Sequence, residues 1–346
     1  LRWSIAATCI ALLVVVGYVG RQAIPGTEAV RLRNALLISS SSARVGMWIP
    51  AEAPPTFLVE RMPLPAVLTD AIQQVIPDPS ISALDKARAI AGHLLVHIKD
   101  TGPIQSADVE DTYQVIISQG RGYCADVVDA FQGLALAAGL QVRTWAFSFD
   151  GFGGYGHIVA EVFSPDTQGW VMLDVFNNVM PATRAGLHPL SVHEFLRIFR
   201  TQESEVRFMP IGPGRIAFPI DEKLRSYYRR GIDQWYLWGG NNVVSRGNGN
   251  LLIASAGEVS QIGADLLSIA TGHYPAIFPL YTASNLSHIE RMFSLRTRLL
   301  MAAAIGAPAI LAVSAPTALA IRTAEEAGMM LVALVRGDEF DVFTHA

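Results

Sequence analysis

Cysteine is scarce in this 346-residue chain, with only Cys9 and Cys124 present. Cys9 stands inside an apolar run and Cys124 in a glycine-rich turn. A disulfide framework and a Cys-rich zinc site are both excluded. Charge is scarce too. Charged residues make up 16% of the chain against 51% apolar residues, a richer apolar share than an average soluble domain, so a membrane segment is the first thing to seek. No basic excess exists, since the net charge is −4. That excludes the footprint of a nucleic-acid-binding surface. The eight histidines are scattered. The length implies two or three structural units.

Residues 3–20 carry no charge and include Ile10-Ala-Leu-Leu-Val-Val-Val16. This length can just cross a bilayer. An uncleaved single-pass anchor is the preferred reading; a cleaved signal peptide and a buried helix are the alternatives. No clear small-x-small cleavage site follows Val19-Gly20-Arg21. Arg21, Arg31 and Arg33 after the run favour a cytoplasmic downstream side, a bias that long domains override. The expected location is the membrane, with the catalytic domain periplasmic or extracellular.

Residues 21–80 are rich in Pro, Ala and Ser, which reads as a linker with short elements. Residues 81–98 show helical periodicity, with Leu84, Ala87, Ile90, Ala91, Leu94, Leu95 and Ile98 on one stripe. A second helix is predicted from Cys124 to Ala138, stopped by Gly139. Strands are predicted over 142–149, 157–163 and 169–176, the last two forming a hairpin around Ser164-Pro-Asp-Thr167. A helix follows over 191–199, opened by a Ser191/Glu194 capping box. Residues 201–293 mix polar turns with aromatics such as Gln234-Trp-Tyr-Leu-Trp238 and show no chemical motif.

Cys124 follows Gly120-Arg-Gly-Tyr and opens its helix. A helix N-terminus carries partial positive charge and unpaired amides, which favour a thiolate and can stabilise an oxyanion. A thiolate needs a base, and the base an orienting group. The hairpin can supply both. With its turn centred between Pro165 and Asp166, His157 and Asp174 lie directly opposite on one face. A one-residue slip would separate them.

Gly120-Arg-Gly-Tyr-Cys, the helix ending in Ala-Gly-Leu-Gln-Val-Arg143, Gly-His157 on a strand and Gly-Trp-Val-Met-Leu-Asp174 together resemble the transglutaminase-like superfamily. The Lys86-Ala-Arg-Ala-Ile helix resembles its lead-in, and the resemblance covers about residues 81–200. It implies a papain-like α+β core, a Cys-bearing helix packed on an antiparallel sheet. It also implies Cys124 as nucleophile, His157 as general base and Asp174 as its orienter. Gln119 is a further candidate, for the oxyanion hole. Asp174 departs from the family pattern in being followed by Val175 rather than Pro.

Taken singly, these residues have ordinary readings: a small buried hydrophobe, a surface histidine, a strand-end cap. Their joint context supports a site. Gly151-Phe-Gly-Gly-Tyr-Gly156 matches the dinucleotide fingerprint in letters only, because a strand follows where a helix is required. It reads instead as a flexible loop beside the base. His93 and His97 are four apart on a helix, but Leu94 occupies the position where a zincin needs Glu.

Residues 299–321 are again uncharged, but Pro308 and Pro316 interrupt them. Ile310 to Gly328, Leu331-Val-Ala-Leu-Val-Arg-Gly-Asp338 and Phe340-Asp-Val-Phe-Thr-His345 resemble the C-terminal end of the formate dehydrogenase accessory sulfurtransferase family, FdhD. The resemblance, over 294–346, implies a strand–helix–strand–strand unit. That family works with a Cys-x-x-Cys pair, which this chain lacks.

The expected organisation is a transmembrane anchor (3–20), a linker (21–80), a transglutaminase-like domain (81–200), an extension (201–293) and a small α/β C-terminal fragment (294–346). The expected activity is attack by Cys124 on an amide carbonyl of a protein or peptide substrate, forming a thioester resolved by water or an amine, with no cofactor. Two alternatives stand beside it. One is a sulfur-carrier role in formate dehydrogenase maturation through the C-terminal segment, which could also bind a protein partner. The other is a catalytically silent envelope scaffold.

Overall fold

The computed structural model describes residues 27–40, 44–102, 104, 108–248, 251–259, 261–311, 332–336 and 339–342. The chain divides between Ile289 and Glu290 into two compact units. The first opens with helices α1 (Thr27–Leu37), α2 (Ala66–Val75), α3 (Ala83–His97), α4 (Val109–Gln119) and α5 (Cys124–Ala137). Strands β1 (Val142–Ser148), β2 (Gly156–Ser164), β3 (Gly169–Leu173) and β4 (Met180–Thr183) follow. Then come α6 (Val192–Thr201), β5 (Val206–Met209), α7 (Asp221–Gly231) and β6 (Trp235–Trp238). The unit continues through α8 (Val243–Asn248), α9 (Leu251–Val259), α10 (Gln261–Ala270) and β7 (Ile277–Pro279).

The main sheet has the order β3-β2-β1-β6-β7 and is antiparallel throughout. Every residue of the central strand β1 is buried, because both faces of the sheet are covered. One face packs on α2–α5, through Leu94, Phe131 and Leu134 among others. The opposite face packs on α6 and α7 in an aromatic layer that includes Trp145, Phe195, Tyr228 and Trp235. Burying each such side chain contributes roughly 1.5–3 kcal/mol. Arg143 and Glu161 lie directly opposite within this sheet and are joined at 2.6 Å, both almost wholly buried. The remaining oxygen capacity of Glu161 is taken by Trp145 Nε1 at 2.5 Å and the Val192 amide at 2.7 Å. Arg143 also lies 3.9 Å over the Trp170 ring. A buried pair is tolerable only with such added partners.

The predicted helices over 81–98, from Cys124, and over 191–199 are α3, α5 and α6. Gly139 follows α5 with φ 72°, and Ser191 and Glu194 form the capping box of α6. The hairpin differs from expectation. Its loop is Pro165–Gln168, so Ser164 pairs with Gly169 and Ala160 with Leu173. This register is displaced by two residues from one that sets His157 opposite Asp174. Because side chains alternate with period two, the displacement keeps both on the same face. The Trp235–Trp238 segment, without a motif in the sequence, is strand β6 and flanks β1.

The expected N-terminal transmembrane helix finds no support in the described structure. Among the described residues no helix is long and apolar enough to cross a membrane, and residues 3–20 lie outside the described residues. Helix α11 (Leu286–Leu311) leads into the second unit. It continues through Pro308 and over Ile310, where the matching segment Ile310 to Gly328 begins. The run Met301-Ala-Ala-Ala-Ile favours helix, and Pro308, three residues from the helix end, costs one backbone bond and crowds the carbonyl one turn back. Strands β8 (Val332–Arg336) and β9 (Glu339–Val342) form an antiparallel pair, close to the strands expected there. The expected helix from Ala315 lies outside the described residues.

Candidate active site

The nucleophile's position is set by the turn before it. Helix α4 ends at Gly120 in the left-handed conformation, φ 68°, ψ 27°. The Gly120 carbonyl accepts from the Lys99 amide at 2.7 Å and the Asp100 amide at 3.1 Å. A Cβ on Gly120 would lie 2.6 Å from the His97 carbonyl oxygen. Only glycine suits that backbone. Three residues later Tyr123 is the N-cap of α5, and its amide donates to Asp126 at 2.8 Å. Cys124 is therefore the first residue of α5, partly exposed as a free thiol. The first-turn amides have no carbonyl one turn back to reach, so they present donors and positive potential beside the sulfur.

His157 lies at the start of β2 and is 4% exposed. The Gly156 before it approaches the Phe147 carbonyl too closely for a side chain. The imidazole packs among Phe147, Phe176 and Tyr227. Its Nε2 is 2.7 Å from Asp174 Oδ1, and a carboxylate can only accept, so Nε2 carries a hydrogen. The other ring nitrogen remains for Cys124, whose sulfur is among the causes that raise the imidazole. Burial disfavours the imidazolium. The charge and hydrogen bond of Asp174, with Cys124, outweigh it and raise His157 to about 10.

Asp174 follows β3 and is fully buried. A tight loop returns the chain to it, with the Asp174 amide bonded to the Val179 carbonyl at 2.9 Å and the reverse bond at 3.1 Å. Inside that loop Asn177 donates to Oδ1 through its amide at 3.1 Å and to Oδ2 through Nδ2 at 2.8 Å. Tyr228 of α7 donates to Oδ2 at 2.5 Å. With His157, that makes four hydrogen bonds to one carboxylate, enough to hold a buried charge in place.

Cys124 and His157 line a cleft of about 800 Å³. Three of the residues named from sequence, Cys124, His157 and Asp174, are thus brought together. Gln119 is not with them. It is the exposed last residue of α4 and is absent from the described lining of the cleft. Two residues of the network escaped sequence reasoning. Asn177 had one local signal, its place three residues after Asp174. Tyr228 had none, being 54 residues away on a charged helix. The Gly151–Gly156 loop, expected to be flexible, is tied down. Arg31 donates to the carbonyls of Asp150 and Gly151 at 2.8 Å, Asn34 to Phe152 at 2.9 Å, and the Gly151 amide to Gln234 at 2.6 Å.

Comparison with known proteins divides the chain. Sulfur carrier protein FdhD of Brucella abortus is 66% identical over 41 residues, 12% of this chain and 15% of that protein. The FdhD of Agrobacterium fabrum is 61% identical over 44 residues, 13% of this chain and 16% of that protein. The FdhD of Sulfurisphaera tokodaii is 50% identical over 40 residues, 12% of this chain and 16% of that protein. The chain therefore spans about a sixth of the length of these curated relatives. No solved structure matches. Residues 70–175, which hold Cys124, His157 and Asp174, match the Transglutaminase-like superfamily, and residues 299–346 match the FdhD/NarQ family.

Proposed function

We propose that the first unit is a cysteine-dependent hydrolase or acyltransferase acting on an amide of a protein or peptide. The observation that carries this reading is the Cys124 thiol beside a buried histidine whose far nitrogen is bonded to Asp174. A thiolate at Cys124 attacks the carbonyl carbon, forming the S–C bond of a tetrahedral intermediate. First-turn amides of α5 stabilise its oxyanion. The C–N bond then breaks, and the His157 imidazolium gives its proton to the departing nitrogen, which leaves as ammonia or an amine. The thioester is resolved by water or a second amine, deprotonated by the neutral imidazole. The raised His157 keeps a proton on the imidazole through neutral pH, available to the departing nitrogen.

The test is alkylation of Cys124 by iodoacetamide across pH. A free thiol loses reactivity below its ordinary value of about 8.5. Here the rate is expected to stay high at pH 6–7, and His157→Ala to slow it by roughly ten-fold or more there. A Cys124 that reacts only above pH 8, without dependence on His157, would overturn the proposal.

A second reading has one observation in its favour, the identity of the C-terminal residues to sulfur carrier proteins. Residues 299–346 contain no cysteine. Under that reading the segment binds a protein partner in formate dehydrogenase maturation, and sulfur would have to travel on another group.

A further inference from the structure

The charges lining the cleft are mostly matched. Asp129 holds Arg246 at 2.5 Å, Asp265 holds Arg33 at 3.3 Å, and Asp174 holds His157. Asp126 lines the cleft too and accepts from the Tyr123 amide alone, while Arg230 is the lining cation left over. It lines the same cleft, its side chain is exposed, and no carboxylate among the described residues pairs with it. Its neighbour Arg229 is clamped by Glu203 and Glu222 instead.

Arg230 is nonetheless held in position. Its guanidinium lies 4.5 Å over the Phe149 ring. Phe149 contacts Tyr227 at 5.1 Å between ring centroids, and Tyr227 contacts the His157 imidazole at 5.5 Å. The cation thus stands at the cleft mouth, two aromatic rings from the proposed general base. A guanidinium stacked on a ring keeps its in-plane N–H fork for a planar anion such as a carboxylate. Stacking also reduces the ordering needed on binding.

We propose that Arg230 is a specificity-determining residue that binds a carboxylate of the acyl donor, so that the cleft takes peptides with an acidic group close to the amide attacked by Cys124. This rests on the reactive Cys124–His157 pair proposed above. A purely structural role would have Arg230 serve only the C-terminal end of α7, where basic residues are favourable.

The test compares two reagents of like size and different charge on the full chain with Cys9→Ser. Iodoacetate and iodoacetamide both form an S–C bond at Cys124 with loss of iodide, but only the first is an anion. In the unaltered site at pH 7, iodoacetate is expected to gain from Arg230. Arg230→Gln should lower its rate about two- to five-fold, the size of one unit charge acting across a solvated cleft mouth. The iodoacetamide rate should be unchanged, Arg230→Lys should retain the preference, and the difference should shrink in 1 M salt. Equal slowing of both reagents, or an unchanged ratio, would overturn the role of Arg230 and leave the reactive pair standing. Slow iodoacetamide alkylation of the starting protein at pH 7 would instead bring down the pair, and this proposal with it.

Discussion

Tyr228→Phe deletes one oxygen atom from the interior and nothing else. The ring keeps its place beside Phe208 at 5.4 Å and Phe195 at 5.1 Å, so packing is preserved. What is lost is a 2.5 Å hydrogen bond to Asp174. Both residues are 0% exposed, so bulk water does not replace it. Burial and the adjacent carboxylate push the Tyr228 phenol well above its ordinary range, and it remains a donor throughout any practical assay. A hydrogen bond to a charged group contributes about 1.5–3 kcal/mol. Asp174 keeps its other donors, so the loss is expected in the lower half of that range. Urea unfolding at pH 7 measures it, with the slope m unchanged if the unfolded state is unaltered. The same substitution in an Asp174→Asn background should cost distinctly less, which defines the coupling. A loss below about 0.5 kcal/mol, within the range of surface substitutions, would refute the reasoning. So would equal losses in both backgrounds.

Asp126 lies partly buried in the first turn of α5. Burial, with Asp129 nearby, outweighs its bond from Tyr123 and raises it to about 6. Its stabilising, protonated form is fully present below the unfolded value of about 3.9 and lost as pH rises through about 6. Asp126→Asn should flatten the fall in urea midpoint between pH 4 and pH 6; an unchanged slope would remove Asp126 as its source. Gly120→Ala places a side chain at φ 68° against the His97 carbonyl. It should cost about 1–3 kcal/mol and slow Cys124 alkylation, because the turn aims α5. A variant as stable and as reactive as the parent would show that this turn has slack.

Local signals made much of the site legible. The stripe of α3, the glycine that aims Cys124 and the Ser191/Glu194 box each depend on neighbours within one or two turns. The hairpin was legible in its strands and in its parity, but the register depended on a four-residue loop that no dipeptide specifies. Asp174 was recognisable, yet its fixation by Tyr228 was not, because nothing around Tyr228 distinguishes its inward hydroxyl from that of an ordinary buried tyrosine. Strand β6 was hidden for a related reason. Trp235-Tyr-Leu-Trp238 is buried on both faces, so it shows no alternation. Its partner β1 lies about ninety residues earlier. Gln119 illustrates the opposite error. Closeness to Cys124 in the chain did not bring it into the cleft, since the left-handed Gly120 intervenes and α4 ends with its side chain facing solvent.

The place of β6 beside β1 bears on how this protein can be dissected. The segment that matches the superfamily ends at residue 175, and a laboratory seeking a minimal catalytic fragment would cut near there. Such a cut strips β1 of its neighbour on one side and bares a row of amides and carbonyls along the central, fully buried strand. It also removes Tyr228 and Asn177, leaving the carboxylate that steadies His157 with one of its four hydrogen-bond contacts. An excised fragment would present an open edge prone to pairing with its own copies. A working boundary therefore lies downstream of β7, after Pro279, where the sheet has its full set of strands.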